Sequence, residues 1–185
     1  MIENAKIVVR AEMSDDRKLR FLLERIWDKK KPAALFILLN PSKASVYKLD
    51  NTFCNIVNIC VDSGYGSLKL VNLFPFMATD PAELKDSLDL GKEENEKVII
   101  REIDSVNDIF IAWGTEDNFK DRKEWLDKLL QKHANNKKIY CWADKDGNYP
   151  KHLRILDKDW EKREYKFKYK GGGYIEFSKT RKKAN

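Results

Sequence analysis

The segment AALFILLN, Ala33–Asn40, is apolar up to its last residue and lies between Pro32 and Pro41. A run this short, bounded by a proline-containing turn and an Asn-Pro step, reads as a β-strand buried on both faces. A strand without a polar face needs cover above and below, so it belongs at the centre of a sheet flanked by other elements. The preceding stretch Lys18–Trp27, with FLLERIW, fits a helix or a strand by periodicity alone. Joined through the turn Asp28–Pro32, the preferred reading is a hairpin between the two segments.

The rest of the chain alternates. Asp50 or Asn51 can cap a helix with apolar positions Phe53, Ile56, Val57, Cys60 and Val61, and Gly64 suits its stop. SLKLVNLF (Ser67–Phe74) reads as a second strand closed by Pro75, and Asp80-Pro81 as the opening of a short helix. Glu93 to about Asp104 reads as a helix, DIFIAWG (Asp108–Gly114) as a third buried strand, Phe119–His133 as a helix and KKIYCWA (Lys137–Ala143) as a fourth strand. Strands alternating with helices predict an α/β fold: a three-layer α/β/α sandwich with a mainly parallel central sheet. Residues 1–157 form the expected core domain. Residues 158–185 form a basic tail in which Tyr165, Phe167 and Tyr169 alternate with Lys166, Lys168 and Lys170 before Gly171–Gly173, the pattern of a β-hairpin.

Composition narrows the function. No apolar run approaches the roughly 20 residues of a bilayer span, and the N-terminus lacks a signal-peptide pattern, so a cytoplasmic protein without a membrane partner is expected. Three cysteines without a CxxC pair argue against disulfides or structural zinc, and two histidines cannot build a multi-histidine metal centre. Carboxylate-bound magnesium stays open, and no cofactor is expected. From Lys158 onward there are ten Lys/Arg against four Asp/Glu, which accounts for the whole net charge of +6. That tail is either a phosphate-contacting element or a solvated basic terminus.

In open parallel sheets, ligands bind at the carboxyl ends of the strands. Those ends carry Asn40, Pro41 and Ser42; then Asn72 and Phe74; then Trp113 and Gly114; and finally the loop with Lys151, His152 and Arg154. Asparagines ending buried strands need hydrogen-bond partners, which a ligand or the following turn supplies. Phe74, Phe76 and Trp113 offer flat surface for a base, or are plain core. No Gly-rich nucleotide loop and no GxSxG elbow is present, and Cys54 and Cys60 fall on a core-facing helix stripe.

In combination, Arg20, Trp27, LNPSKA (Leu39–Ala44), DNT (Asp50–Thr52), GYG (Gly64–Gly66), VNLFPF with ATDP (Val71–Pro81), AWG (Ala112–Gly114) and DGNYPKH (Asp146–His152) resemble a prokaryotic and phage family of uncharacterised proteins with an LNPS motif. The order of motifs also resembles, more distantly, the uracil-DNA glycosylase superfamily, a compact α/β sandwich. Where the LNPS family usually has His-Pro, this chain has His152-Leu153. The distant resemblance implies a water-positioning role for Asn40, base reading by Asn72, and stabilisation of the leaving base by His152, with Asp50 as an available carboxylate. It implies a glycosylase-like hydrolase acting on DNA or a nucleotide, with Lys151, Arg154, Lys166, Lys168 and Lys170 along the backbone. Two other readings stand beside it: a non-catalytic nucleotide or nucleic-acid-binding module, and a phage- or defence-related interaction protein whose basic tail binds an acidic partner.

Overall fold

The computed structural model describes residues 5–42, 47, 49–78, 84, 87–167, 169–170 and 173–174. Seven strands form one sheet in the order β1-β2-β4-β3-β5-β6-β7. They are β1 (Val8–Met13), β2 (Arg20–Ile26), β3 (Ala33–Leu38), β4 (Ser67–Asn72), β5 (Asp108–Ile111), β6 (Lys138–Ala143) and β7 (Glu161–Glu164). Among the described residues three helices are interspersed: α1 (Asn51–Asp62), α2 (Lys92–Asp104) and α3 (Lys120–His133). Two short strands, β8 (Tyr169–Lys170) and β9 (Gly173–Tyr174), pair antiparallel. No helix among the described residues is long and apolar enough to cross a membrane.

The run Ala33–Leu39 does sit at the centre. On β3, Leu35 and Ile37 enter a core cluster to which α2 gives Val98, Ile99 and Ile103 and α3 gives Leu126 and Leu130. The alternate residues Ala34, Phe36 and Leu38 enter a second cluster with Phe53, Ile56 and Cys60 of α1. Period-2 alternation thus divides one apolar strand between two cores. Phe36 stacks on Phe110 of the neighbouring β5 at 4.5 Å between centroids and 9° between planes, and Trp142 stacks on Phe110 from β6. Helix α1 buries a narrower stripe than its sequence suggests, with Val61 53% exposed.

Two expectations are corrected. The sheet is mixed rather than mainly parallel: β4, β3, β5 and β6 run parallel, while β1, β2 and β7 are antiparallel to their neighbours. The segment Lys18–Trp27 is a strand but forms no hairpin with β3. Strand β4 lies between them, pairing with β2 on one side and β3 on the other. The first turn therefore connects strands two places apart, and β2's antiparallel partners are β1 and β4. Strand β1 has no counterpart in the sequence reading, because Arg10 and Glu12 interrupt the apolar pattern of VVRAEM. The short helix expected at Asp80-Pro81 lies outside the described residues.

The junction of β2, β3 and β4 closes on Gly66. Its carbonyl accepts from the backbone N–H of Trp27 (3.0 Å) and Asp28 (2.9 Å), and its own N–H donates to the Pro32 carbonyl at 2.9 Å. The Trp27 indole Nε1–H donates to the Tyr65 carbonyl at 3.0 Å. A Cβ on Gly66 would stand 1.9 Å from the Asp28 carbonyl oxygen, so the close backbone approach leaves no room for any other residue. Gly66→Ala is therefore expected to destabilise the fold by about 3 kcal/mol, the upper end of ordinary overpacking costs. Urea unfolding measures it, with Gly64→Ala as a comparison in open space at positive φ.

Candidate functional site

Because β4, β3, β5 and β6 are parallel, their carboxyl ends lie on one edge of the sheet. Strand β2 runs against them, so its first residue, Arg20, lies on that same edge. A cleft of ≈ 1240 Å³ opens there. Its wall contains Asn40, Pro41 and Ser42 after β3, Asn72 ending β4, Trp113 and Gly114 after β5, Asp50 at the start of α1, and Lys151, His152 and Arg154 in the loop following β6. Ten of the residues expected from the sequence thus line one cleft.

Each of these side chains has a definite environment. Asn40 Nδ2 donates to the Ala78 carbonyl at 2.9 Å and the Pro41 carbonyl at 3.2 Å, which leaves its Oδ1 as the atom open to a donor. Asp50 both caps α1 and lines the cleft. Its Oδ1 accepts from the Phe53 N–H at 2.8 Å, and its Oδ2 accepts from the Ser42 hydroxyl at 2.9 Å. Gly114 adopts φ +96°, a left-handed conformation that favours glycine, and its missing Cβ would rest 3.8 Å from His152 Cβ.

Asn72 is the most constrained. It is 1% exposed, and its Oδ1 is a buried acceptor without a hydrogen-bond partner among the described residues. Its backbone is clamped from below: Asn95 Nδ2, on α2, donates to the carbonyls of Asn72 (3.0 Å) and Leu73 (3.1 Å). Arg122 Nε, on α3, also donates to the Leu73 carbonyl at 3.0 Å. Arg122 is itself fixed by an ion pair with Glu96 and by packing 3.9 Å over the Trp125 ring. Two helices thus hold the strand end that carries Asn72.

The His152 loop is held as firmly. The Asp144 carboxylate accepts from the N–H groups of Asp146 (3.0 Å) and Asn148 (2.9 Å), from Asn148 Nδ2 (3.1 Å) and from Lys151 Nζ (3.1 Å). These donors, the Asn148 backbone N–H foremost, bring its pKa down to about 2. The Tyr149–Pro150 peptide is cis. The Lys151 N–H donates to the Trp142 carbonyl of β6 at 2.9 Å, and Asn55 Nδ2 of α1 donates to the Leu153 carbonyl at 2.9 Å. His152 Nδ1 accepts from the Arg154 N–H at 3.2 Å, so the neutral ring carries its proton on Nε2. Burial pushes the His152 pKa below its ordinary value, with the Asp50 charge opposing the shift in part.

Some candidates stand elsewhere. Phe74 is not in the cleft wall: regular alternation ends with β4 at Asn72, and Phe74 turns into the core, edge-on to Phe119 at 4.9 Å. Lys166 is exposed and outside the cleft, and its carbonyl accepts from the Tyr149 hydroxyl at 3.4 Å. Lys168 lies outside the described residues, and Lys170 belongs to β8. Lys151 is a cleft residue, but its ammonium is shared with Asp144 and lies 5.1 Å over the Trp160 ring. The sequence reading did not single out Trp160 or Glu116 as site residues, and took Arg20 only as a motif match. The signal for Arg20 was a charge immediately ahead of the apolar run Phe21–Leu23. Trp160 carried none, sitting among charged residues in a loop.

The architecture is that of a mixed α/β protein with a cleft of apolar and polar residues at the carboxyl edge of its central strands. The chain belongs to the family described as "Protein of unknown function (DUF1643)", whose model matches residues 20–152. The matched segment runs from the first cleft residue, Arg20, to His152. No curated protein and no solved structure matches the chain.

Asn95→Ala removes the donor that Asn72 and Leu73 share, and is expected to cost about 1–3 kcal/mol in denaturant unfolding. A second outcome follows from His152. Its folded-state pKa lies below that of the unfolded chain, so acid protonates the unfolded chain first. The contribution of His152 to stability is complete above the unfolded pKa, about 6.5, and is lost as the pH drops through the folded pKa. Melting temperatures at a series of pH values should show this loss in the native protein and a flatter profile in His152→Gln.

Proposed function

We propose that the cleft binds a nucleobase and hydrolyses the N-glycosidic bond that holds it, in DNA or in a nucleotide. The observation that carries this reading is Asn72 Oδ1. An acceptor that is buried and unpartnered costs free energy unless a ligand supplies a donor. A ring N–H or exocyclic amine of a base is such a donor, and the flat faces of Trp113 and Trp160 in the same cleft suit a planar ring. Asn40 Oδ1 would accept from the attacking water, Asp50 would take its proton, and the His152 Nε2–H would donate to the departing base. In this reading α1 on one side and α2 with α3 on the other are the outer layers of an α/β/α sandwich like that of the uracil-DNA glycosylase superfamily. The basic residues from Lys158 onward would follow a phosphate backbone, as befits a cytoplasmic protein acting on nucleic acid.

A second reading, a base-binding module without chemistry, is favoured by one observation. Both Asp50 oxygens already accept a hydrogen bond, one from the helix it caps and one from Ser42. The two readings part at Asp50→Asn, since asparagine caps a helix about as well as aspartate. Oligonucleotides and nucleotides carrying varied normal and modified bases would be scored for released base and for binding. Catalysis predicts that Asp50→Asn slows base release by about 10²–10⁴-fold while binding persists. The module predicts binding by both proteins and release by neither. Asn72→Ala should abolish binding in either case, and retained binding would refute the use of Asn72 as the base reader.

A further inference from the structure

Arg20 reaches the cleft through an irregularity in the sheet. The register between β1 and β2 runs Glu12 to Leu22 and then Met13 to Arg20, passing over Phe21. This is a β-bulge, which adds a residue to one strand and re-aims the side chains beyond it. The consequence is visible in the packing. Phe21 and Leu22, adjacent in sequence, both enter the core cluster of α2 and α3, whereas Leu23 enters that of α1. Regular alternation from Leu23 would have put Phe21 on the α1 side and Arg20 opposite. With the bulge, Arg20 lines the cleft with Leu23. The Arg20 backbone N–H donates to the Pro75 carbonyl at 2.8 Å, which ties the bulged end to the loop after Asn72.

The side chain so placed is 6% exposed. A guanidinium stays protonated at any working pH, and burying one is costly unless opposite charge is near. Burial lowers its pKa and the Asp50 charge opposes the shift. The cleft as a whole carries Lys151, Arg154 and Arg20 against Asp50, Glu116 and Asp157, so its walls exert no general pull on anions. A preference for negative charge beside Asn72 would have to come from Arg20 itself.

We infer that Arg20 is a catalytic residue of the proposed hydrolysis, taking up the negative charge of the departing base; this rests on the reading of the cleft as a base-hydrolysing site. In that reaction the bond from C1′ to the ring nitrogen breaks with its electron pair passing to the base. Water oxygen bonds to C1′, and the water's proton passes through Asp50 to the base, which leaves neutral. Between those events the base is an anion. The neutral His152 ring can donate a hydrogen bond to it but brings no charge, whereas Arg20 brings a full one in a site shielded from solvent, where it counts most.

The test measures the binding of free uracils with graded ring substituents, chosen so that ring N–H acidity spans the assay pH, at one fixed pH and salt concentration. Quenching of Trp113 and Trp160 fluorescence or calorimetry gives the affinities for the native protein, R20Q and R20K. The native protein should bind the ionised bases at least about tenfold more tightly than the neutral ones, and R20Q should lose that trend. If R20Q does not fold by circular dichroism, R20K decides: it should keep the trend with about tenfold weaker affinity for the anions, because a lysine lacks the planar fork. Native binding without a preference for anions, or an unchanged preference in R20Q, or R20K indistinguishable from native, would overturn the role of Arg20 and leave the base-binding cleft standing. Failure of the native protein to bind any base would overturn both.

Discussion

The burial of β3 on both faces is the constraint from which the rest of the structure follows. A strand with Leu35 and Ile37 on one side and Ala34, Phe36 and Leu38 on the other must be covered twice. It therefore takes parallel neighbours on either side, and parallel neighbours require crossovers long enough to hold a helix. The stacked pair Phe36 and Phe110 locks β3 to β5 in register, since those two residues are partners across the ladder. Once the central strands are parallel their carboxyl ends coincide. The polar residues that close them, Asn40, Asn72 and the Trp113-Gly114 turn, are then brought to one edge without any further device.

That logic explains what could be read from the sequence and what could not. Strands β3, β4, β5 and β6 and helices α1, α2 and α3 were legible because each carries its period over enough residues. The strand ends were legible for the same reason, which is why most of the expected cleft residues do lie on one cleft. Pairing order was not legible. The turn Asp28–Pro32 has the length and composition of a hairpin loop, yet β4, more than thirty residues further along the chain, lies between the two strands it joins. Phe74 was misplaced because alternation cannot be extrapolated past the last ladder residue. Arg20 was missed as a site residue because a bulge is a property of two strands, and β1 was itself not visible.

The polar groups of the site are positioned by elements that are themselves buried. Asn95 has 0% exposure and spends its amide on two backbone carbonyls at the end of β4, while Arg122 fixes one of the same carbonyls from α3. This makes the strand end rigid, and the rigidity has a chemical consequence. A mobile asparagine would rotate until its oxygen found water or a donor, whereas Asn72 keeps its Oδ1 buried without one among the described residues. The unmet acceptor is stable only because the backbone beneath it is held by helices on the opposite face.

The tail meets this arrangement at Trp113. Tyr165 is 4% exposed and its hydroxyl donates to Asp127 of α3 at 2.8 Å, anchoring the chain just beyond β7. Its ring meets Trp113 edge-on at 5.9 Å, and Tyr149, Pro150's neighbour in the His152 loop, meets Tyr165 edge-on at 6.1 Å. One aromatic residue therefore braces both a cleft wall and the loop that carries His152. The positive charge of the chain begins to accumulate immediately beyond it, while the cleft walls hold acids and bases in equal number. The excess charge and the cleft are thereby carried by different segments. The junction between them is a buried phenol, so Tyr165 cannot leave its site without repacking Trp113.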